Sequence, residues 1–315
     1  MQSELVTPSA QVVLPAPLES LLQRAPHLAW PVYFGWHLAD RWGRDECPLK
    51  AAAMAFFGLL SLFPLVLSLV AILGQTVVGD KEVLVQFQKF VAEFFPGASG
   101  DIFKEVNAIA ANTNATTLGI FGVLSLLWSG RAYFDTLASV LNTIWPKTTP
   151  RSFLMHQVAL WSTFLGVGFL WLLSTGVTFA LSAARALNDH LPDLFINRQP
   201  QLWDGLTWLT SWLLTTLMFW LLYRFLPNVQ SKRRRRIVLG AALLASIGWE
   251  LAKFAFVHFL SNVARYQSTY GSIAGVMLAM MWIYLASLII LIGAEAAAAY
   301  EETCASRPGE FGCPM

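Results

Sequence analysis

Six apolar runs, each longer than the core of an ordinary soluble helix, govern what this chain can fold into. They are Ala51–Leu73, Thr117–Trp145, Val158–Leu181, Leu206–Leu226, Ile237–Leu260 and Ile273–Ala299. At about 1.5 Å per residue, about 20 residues cross a hydrocarbon core of about 30 Å, and every run reaches that length. None alternates in the two-residue period of a barrel strand, so the runs read as helices that satisfy their own backbone in lipid. Composition agrees: 56% of the residues are hydrophobic and 13% charged, where soluble domains carry about 25% charge. A soluble globular enzyme and a disordered chain are excluded as starting points. A net charge of +2 gives no basic field of the kind that binds nucleic acid, so no nucleic-acid partner is expected.

The expectation is an all-α integral membrane protein, a six-transmembrane-helix bundle over 49–300. Lysine and arginine in the short loops orient it. With the N-terminus cytoplasmic, the inner segments hold 12 basic residues and the outer segments 6, so both termini are expected inside. Cys47, Cys304 and Cys313 would then be free thiols in a reducing compartment. Residues 1–28, rich in proline and without an apolar signal core, read as a disordered tail. The first apolar run would serve as its own insertion signal. Residues 301–315 read as a C-terminal tail. Segment 29–48 mixes Trp30, Tyr33, Phe34, Trp36 and Trp42 with His37, Asp40 and Arg41. It suits an amphipathic helix lying in the interface, or equally a short helix packed on the bundle. In the outer loop, Val83, Phe87, Phe90, Val91 and Phe94 recur at helical spacing. Pro96-Gly97 breaks the run, and Ile102, Val106 and Ile109 start another. An amphipathic helical hairpin over 81–112, on the outer face between helices one and two, is the expectation.

Ionisable residues inside spans are few, and each marks an interior contact or a pathway. Arg131 and Asp135 are four apart and can pair on one helix face. Glu250 and Lys253, three apart in the fifth run, make a mutually neutralised pair or the polar lining of a path. Arg224 and Glu295 lie near inner helix ends. An inner cluster of Arg131, Asp135, Arg224 and Glu295 is therefore expected, bracing the bundle or gating a cavity. Pro64 should kink the first helix. Gly271 and Gly275 form a small-residue step that permits close helix packing. Lys232, Arg233, Arg234, Arg235 and Arg236 form a basic cluster at a membrane edge, fixing topology or attracting anionic lipid head groups. The lipid bilayer itself is the first partner.

Catalytic constellations are missing. His27, His37, His156, His190 and His258 are scattered without metal-ligand spacing, and Asp189, His190 and Asp193 lack a further ligand. No nucleophile elbow, phosphate loop or dinucleotide fingerprint occurs. No metal site, cofactor or enzymatic activity is expected.

Several stretches together resemble the YihY/BrkB family of bacterial inner-membrane proteins. They are Leu49 to Pro64, Trp128-Ser129-Gly130-Arg131, Leu141-Asn142-Thr143-Ile144-Trp145, Tyr223 to Asn228, Gly240-Ala241, Trp249-Glu250 with Lys253, Tyr270-Gly271-Ser272, Trp282 and Gly293-Ala294-Glu295. The resemblance covers roughly residues 30 to 300 in order. It implies a six-helix, multi-pass protein of the bacterial inner membrane. The family's older label, ribonuclease BN, needs metal ligands or a paired acid and base, and the sequence supplies neither. Two functions remain: translocation of a lipid or other amphipathic envelope component, and a non-transporting scaffold for an envelope complex. A membrane ribonuclease ranks last.

Overall fold

The computed structural model describes residues 29–76, 115–145, 152–188, 200–228, 234–270 and 272–306. Over these residues the chain is helical, with no strand. The helices are α1 (Ala29–Arg44), α2 (Cys47–Thr76), α3 (Ala115–Ile144), α4 (Phe153–Asn188), α5 (Pro200–Phe225), α6 (Arg234–Tyr270) and α7 (Ser272–Ser306). Each of the six apolar runs lies within one of α2 to α7, give or take a residue at its end. Among the described residues, four stretches are long and apolar enough to cross a membrane: Phe153–Ser174, Gly205–Phe225, Ile237–Phe259 and Gly275–Cys304. The tail 1–28, the hairpin 81–112 and the residues beyond 306 lie outside the described residues.

Chain neighbours pack on one another from α2 through α7, and α7 returns to pack on α2, so the six long helices close a ring. α7 also reaches α3, and α1 lies against the C-terminal part of α7. Small residues make that possible. Ala294 and Ala296 to Ala299 are all buried, and such side chains let helix backbones approach closely in lipid. Large apolar side chains point outward instead: Trp128, Phe153, Leu154, Phe169, Leu251 and Phe254 are all well exposed. Soluble monomers rarely show contiguous apolar surface of this extent. The outward faces therefore belong against lipid, as expected of a multi-pass membrane protein.

Two helix ends and one cysteine differ from expectation. α7 continues to Ser306, so Glu301 to Ser306 are helix rather than tail. Its alanines favour helix, and Thr303 and Cys304 are buried against the bundle. α6 runs ten residues past Leu260 to Tyr270. Cys304 is disulfide-bonded while Cys47 is free, which corrects the expectation of three free thiols. Disulfide pairing follows the proximity of two sulfurs, about which loop charge is silent.

Candidate functional site

Two ion-paired clusters stand out, and the first is built where α1 meets α7. A tight corner joins α1 to α2, with Glu46 at φ 49°. That left-handed conformation costs a non-glycine residue about 1–2 kcal/mol. The corner aims Arg41 inward, where only 3% of its side chain is exposed. Its Nε donates to Glu295 Oε2 at 2.9 Å, and Nη1 donates to Glu302 Oε1. Nη2 reaches the Ile144 carbonyl at 3.0 Å and Asp45 Oδ2 at 3.5 Å. The other oxygen of the fully buried Glu295 accepts from Cys47 Sγ at 3.4 Å. His37 Nε2 lies 3.0 Å from Glu302 Oε2. Four helices (α1, α2, α3 and α7) are thereby tied at one point.

The electrostatics follow from that geometry. Burial alone would pull the Arg41 guanidinium down, but the charges of Glu295 and Glu302 and their hydrogen bonds hold it above its ordinary value. Burial, with the Glu295 charge and hydrogen bond adding to it, pushes the Cys47 thiol up to about 12. Glu295 was expected in an inner cluster with Arg131, Asp135 and Arg224; it pairs with Arg41. The reason is position: a buried carboxylate on α7 faces α1, whereas Arg131 and Asp135 find partners on α4. Arg131 Nε donates to Gln157 Oε1 at 3.3 Å, and Asp135 lies 3.0 Å from His156 Nε2. The expected pair of Arg131 with Asp135 does not form. Arg224 is half-buried at the end of α5 and joins no ion pair among the described residues.

The second cluster is the one expected on α6. Lys253 Nζ lies 2.8 Å from Glu250 Oε1, with side chains 40% and 20% exposed. The ion pair is close, yet Glu250 Oε1 is buried without a hydrogen-bond partner. Lys253 shares a helix stripe with Trp249 and Phe256, four residues before it and three after. That stripe faces the bundle: the Trp249 ring is 5.2 Å from Trp282 of α7 and 6.2 Å from Phe219 of α5. Phe256 is 4.7 Å from Trp282. The lipid side of α6 carries Ile247, Leu251 and Phe254. Lys253 is thus partly exposed on the side of α6 that faces other helices.

Burial differs along the bundle. At the α1 end, Phe134, Leu137, Ala138, Leu141 and Ile144 of α3 and Trp145 just after it are buried, against only Gly122 and Gly130 over 120–133. In α5 nothing over 205–215 is buried, whereas Thr216, Phe219, Leu222 and Tyr223 are. Close contacts fasten the dense end. Tyr223 Oη donates to the Ile290 carbonyl at 2.8 Å, and the Asn228 amide donates to Asn142 Oδ1 at 2.8 Å. A Cβ on Gly293 would collide with Tyr223 Oη and meet Ala245 Cβ at 3.0 Å. Close approach thus occurs at Gly293. At Gly58 a Cβ would come to 2.7 Å from Ile283, and at Gly130 to 2.7 Å from Phe164. Gly275 is buried in α7, and Gly271 lies outside the described residues. α2 passes through Pro64 without interruption. Of the basic cluster, Arg234, Arg235 and Arg236 open α6, while Lys232 and Arg233 lie outside the described residues.

The Arg41 site could not be read from spacing, because its partners lie 254 and 261 residues away. One signal did exist: a carboxylate within an alanine-rich span requires a cation, and Arg41 sits on the stripe of His37 in α1.

Comparison with known proteins places these residues in context. The family description "Virulence factor BrkB" matches residues 38–310. The ribonuclease-like protein YfkH of Bacillus subtilis is 28% identical over 82% of this chain and 91% of its own length. A UPF0761 membrane protein of Alcanivorax borkumensis is 30% identical over 82% of this chain, and one of Azotobacter vinelandii is 30% identical over 83%. The match spans only 58% and 62% of those two relatives. No solved structure matches.

Proposed function

The chain belongs to the virulence factor BrkB family, and from that premise we propose that it translocates a lipid or other amphipathic envelope component across the bacterial inner membrane. The observation that carries this reading is the Glu250–Lys253 pair on a bundle-facing stripe, in the half of the bundle where fewer side chains are buried. Charges in lipid are expensive and are kept where they serve a path. The six long helices are read as six spans with both termini cytoplasmic, from the excess of Lys and Arg on that side. The dense, Arg41-bound end is then cytoplasmic and the looser end faces outward. The name of the Bacillus relative does not argue for a nuclease here: Glu295 is spent on Arg41, and Glu250 is held by Lys253.

The test is reconstitution into vesicles with fluorescent-tailed phospholipid in the inner leaflet. Wild-type protein should speed arrival in the outer leaflet, and Glu250→Gln with Lys253→Met should slow it at least about 10-fold. Equal rates in the wild type and the double variant overturn the proposal. A scaffold is favoured by one observation, the Arg41 cluster, which ties four helices and engages every nitrogen of the guanidinium. Under that reading, deleting 81–112 removes co-purifying partners and leaves vesicle flux at the empty-vesicle level throughout.

A further inference from the structure

We propose that Glu250, Lys253, Trp249, Phe256 and Trp282 form a recognition site for a zwitterionic phosphate head group, one that carries an ammonium and a phosphate on a short linker. The inference rests on reading this stripe as the translocation lining, and it narrows the substrate class. Three observations carry it. Both signs of charge are present on neighbouring positions of one helix face, whose Cβ atoms stand about 5–6 Å apart. A purely anionic ligand would satisfy Lys253 and leave Glu250 opposed; a purely cationic one would do the reverse. Only a ligand holding both charges exchanges the internal pair for two external ones without stranding either in a low-dielectric site.

The second observation is that the internal pair leaves bonding capacity unused. Glu250 Oε1 is buried without a hydrogen-bond partner although Lys253 Nζ is 2.8 Å away. Once Lys253 swings to the phosphate, a ligand ammonium with several N–H donors can take its place on that oxygen. Lys253, 40% exposed, has donors left for a phosphate oxygen. The third is the aromatic wall. Trp249 and Trp282 are 5.2 Å apart and tilted, and Phe256 is 4.7 Å from Trp282. Indole faces attract ammonium groups through their quadrupole. Lys253, with its flexible stem, meets phosphate as a point charge.

Binding is measured at equilibrium by titration calorimetry on full-length protein in micelles. The probes are short-chain phosphatidylethanolamine, its N-acetylated derivative and phosphatidylglycerol. The ethanolamine lipid should bind at least about 10-fold tighter than the other two. N-acetylation removes the ammonium from the ligand, so this arm does not depend on any variant folding. Glu250→Gln should abolish the preference for the ethanolamine head group, and Lys253→Met should weaken the ethanolamine and glycerol lipids alike, about 10-fold. Equal binding of the three lipids to the wild type overturns the proposal, as does a preference that survives Glu250→Gln. Water-soluble glycerophosphoethanolamine, added as competitor, distinguishes the source: displacement shows that the head group alone is recognised, and its absence shows that the acyl chains are required for the zwitterion to bind. The two proposals fail separately. Head-group preference without vesicle flux removes translocation and leaves the site, whereas flux that needs Glu250 and Lys253 with no head-group preference removes the site and leaves translocation.

Discussion

Arg41 and Lys253 are both cations held by glutamate, yet Arg41 is 3% exposed and shared among Glu295, Glu302, Asp45 and a backbone carbonyl, while Lys253 is 40% exposed beside Glu250. The Arg41–Glu295 core of its cluster is saturated. Each of the three guanidinium nitrogens has an acceptor, and both oxygens of Glu295 have donors. The Lys253 pair is joined but incomplete. The guanidinium and the Glu295 carboxylate thus have nothing left to offer a ligand, although His37 Nδ1 beside them is buried without a hydrogen-bond partner. An incomplete pair in a half-buried stripe keeps the capacity to bind. Charge in this bundle is thus fully engaged around Arg41 and Glu295 and only partly engaged on the α6 stripe.

Removing the buried cation should break that contrast most severely. Arg41→Ala strands Glu295, and breaking a buried pair from one side destabilises by about 3–5 kcal/mol. Thermal unfolding in detergent should fall accordingly, and a double replacement, Arg41→Met with Glu295→Met, should recover most of the loss. A loss under about 1 kcal/mol would make the two clusters equivalent. Thiol chemistry sharpens the same point. With Cys47 pushed from 9.0 up to about 12, its thiolate at pH 8 is about a thousand-fold scarcer than an ordinary thiol's. Maleimide should leave native protein unlabelled at pH 8, and labelling should rise as pH rises. Because the Glu295 charge adds to burial in raising that thiol, Glu295→Gln should raise the rate. The smallest effect belongs to the other cluster. Glu250→Gln with Lys253→Gln removes both charges together and should change stability by about 1 kcal/mol or less, since polar pairs between membrane residues average about 0.6 kcal/mol. A larger loss would mean that this pair, too, is structural.

Much of the helical frame was legible because lipid imposes a length and a composition on each crossing. The six runs named from hydropathy lie within six helices, and Glu250 with Lys253 was legible as a pair because a helix turn brings residues three apart together. The dense end was less so. Glu295 was recognisable as needing a partner, but Arg41 comes from a helix whose aromatic and charged composition suits the membrane interface as well as packing on the bundle, 254 residues earlier. Arg131 and Asp135 have the spacing of a pair, yet α4 offers each a better-placed partner in Gln157 and His156. Small-residue spacing pointed to Gly271 and Gly275; the contacts at Gly58, Gly130 and Gly293, which leave no room for a side chain, carry no such glycine spacing. At Gly293 the limit is set by the hydroxyl of Tyr223 on another helix.

The tie between Arg41 and Glu295 also imposes an order in time. A ribosome completes Arg41 254 residues before Glu295, which at about 5–20 residues per second is roughly 13–50 s. Through that interval α1 must wait with its guanidinium solvated at the membrane surface, a role its mixed aromatic and charged face fits. Only when α7 has entered the bilayer can the cation leave water for its carboxylate. Closure of this bundle is therefore a late event of biogenesis, and a nascent chain truncated before Glu295 has no means of completing it.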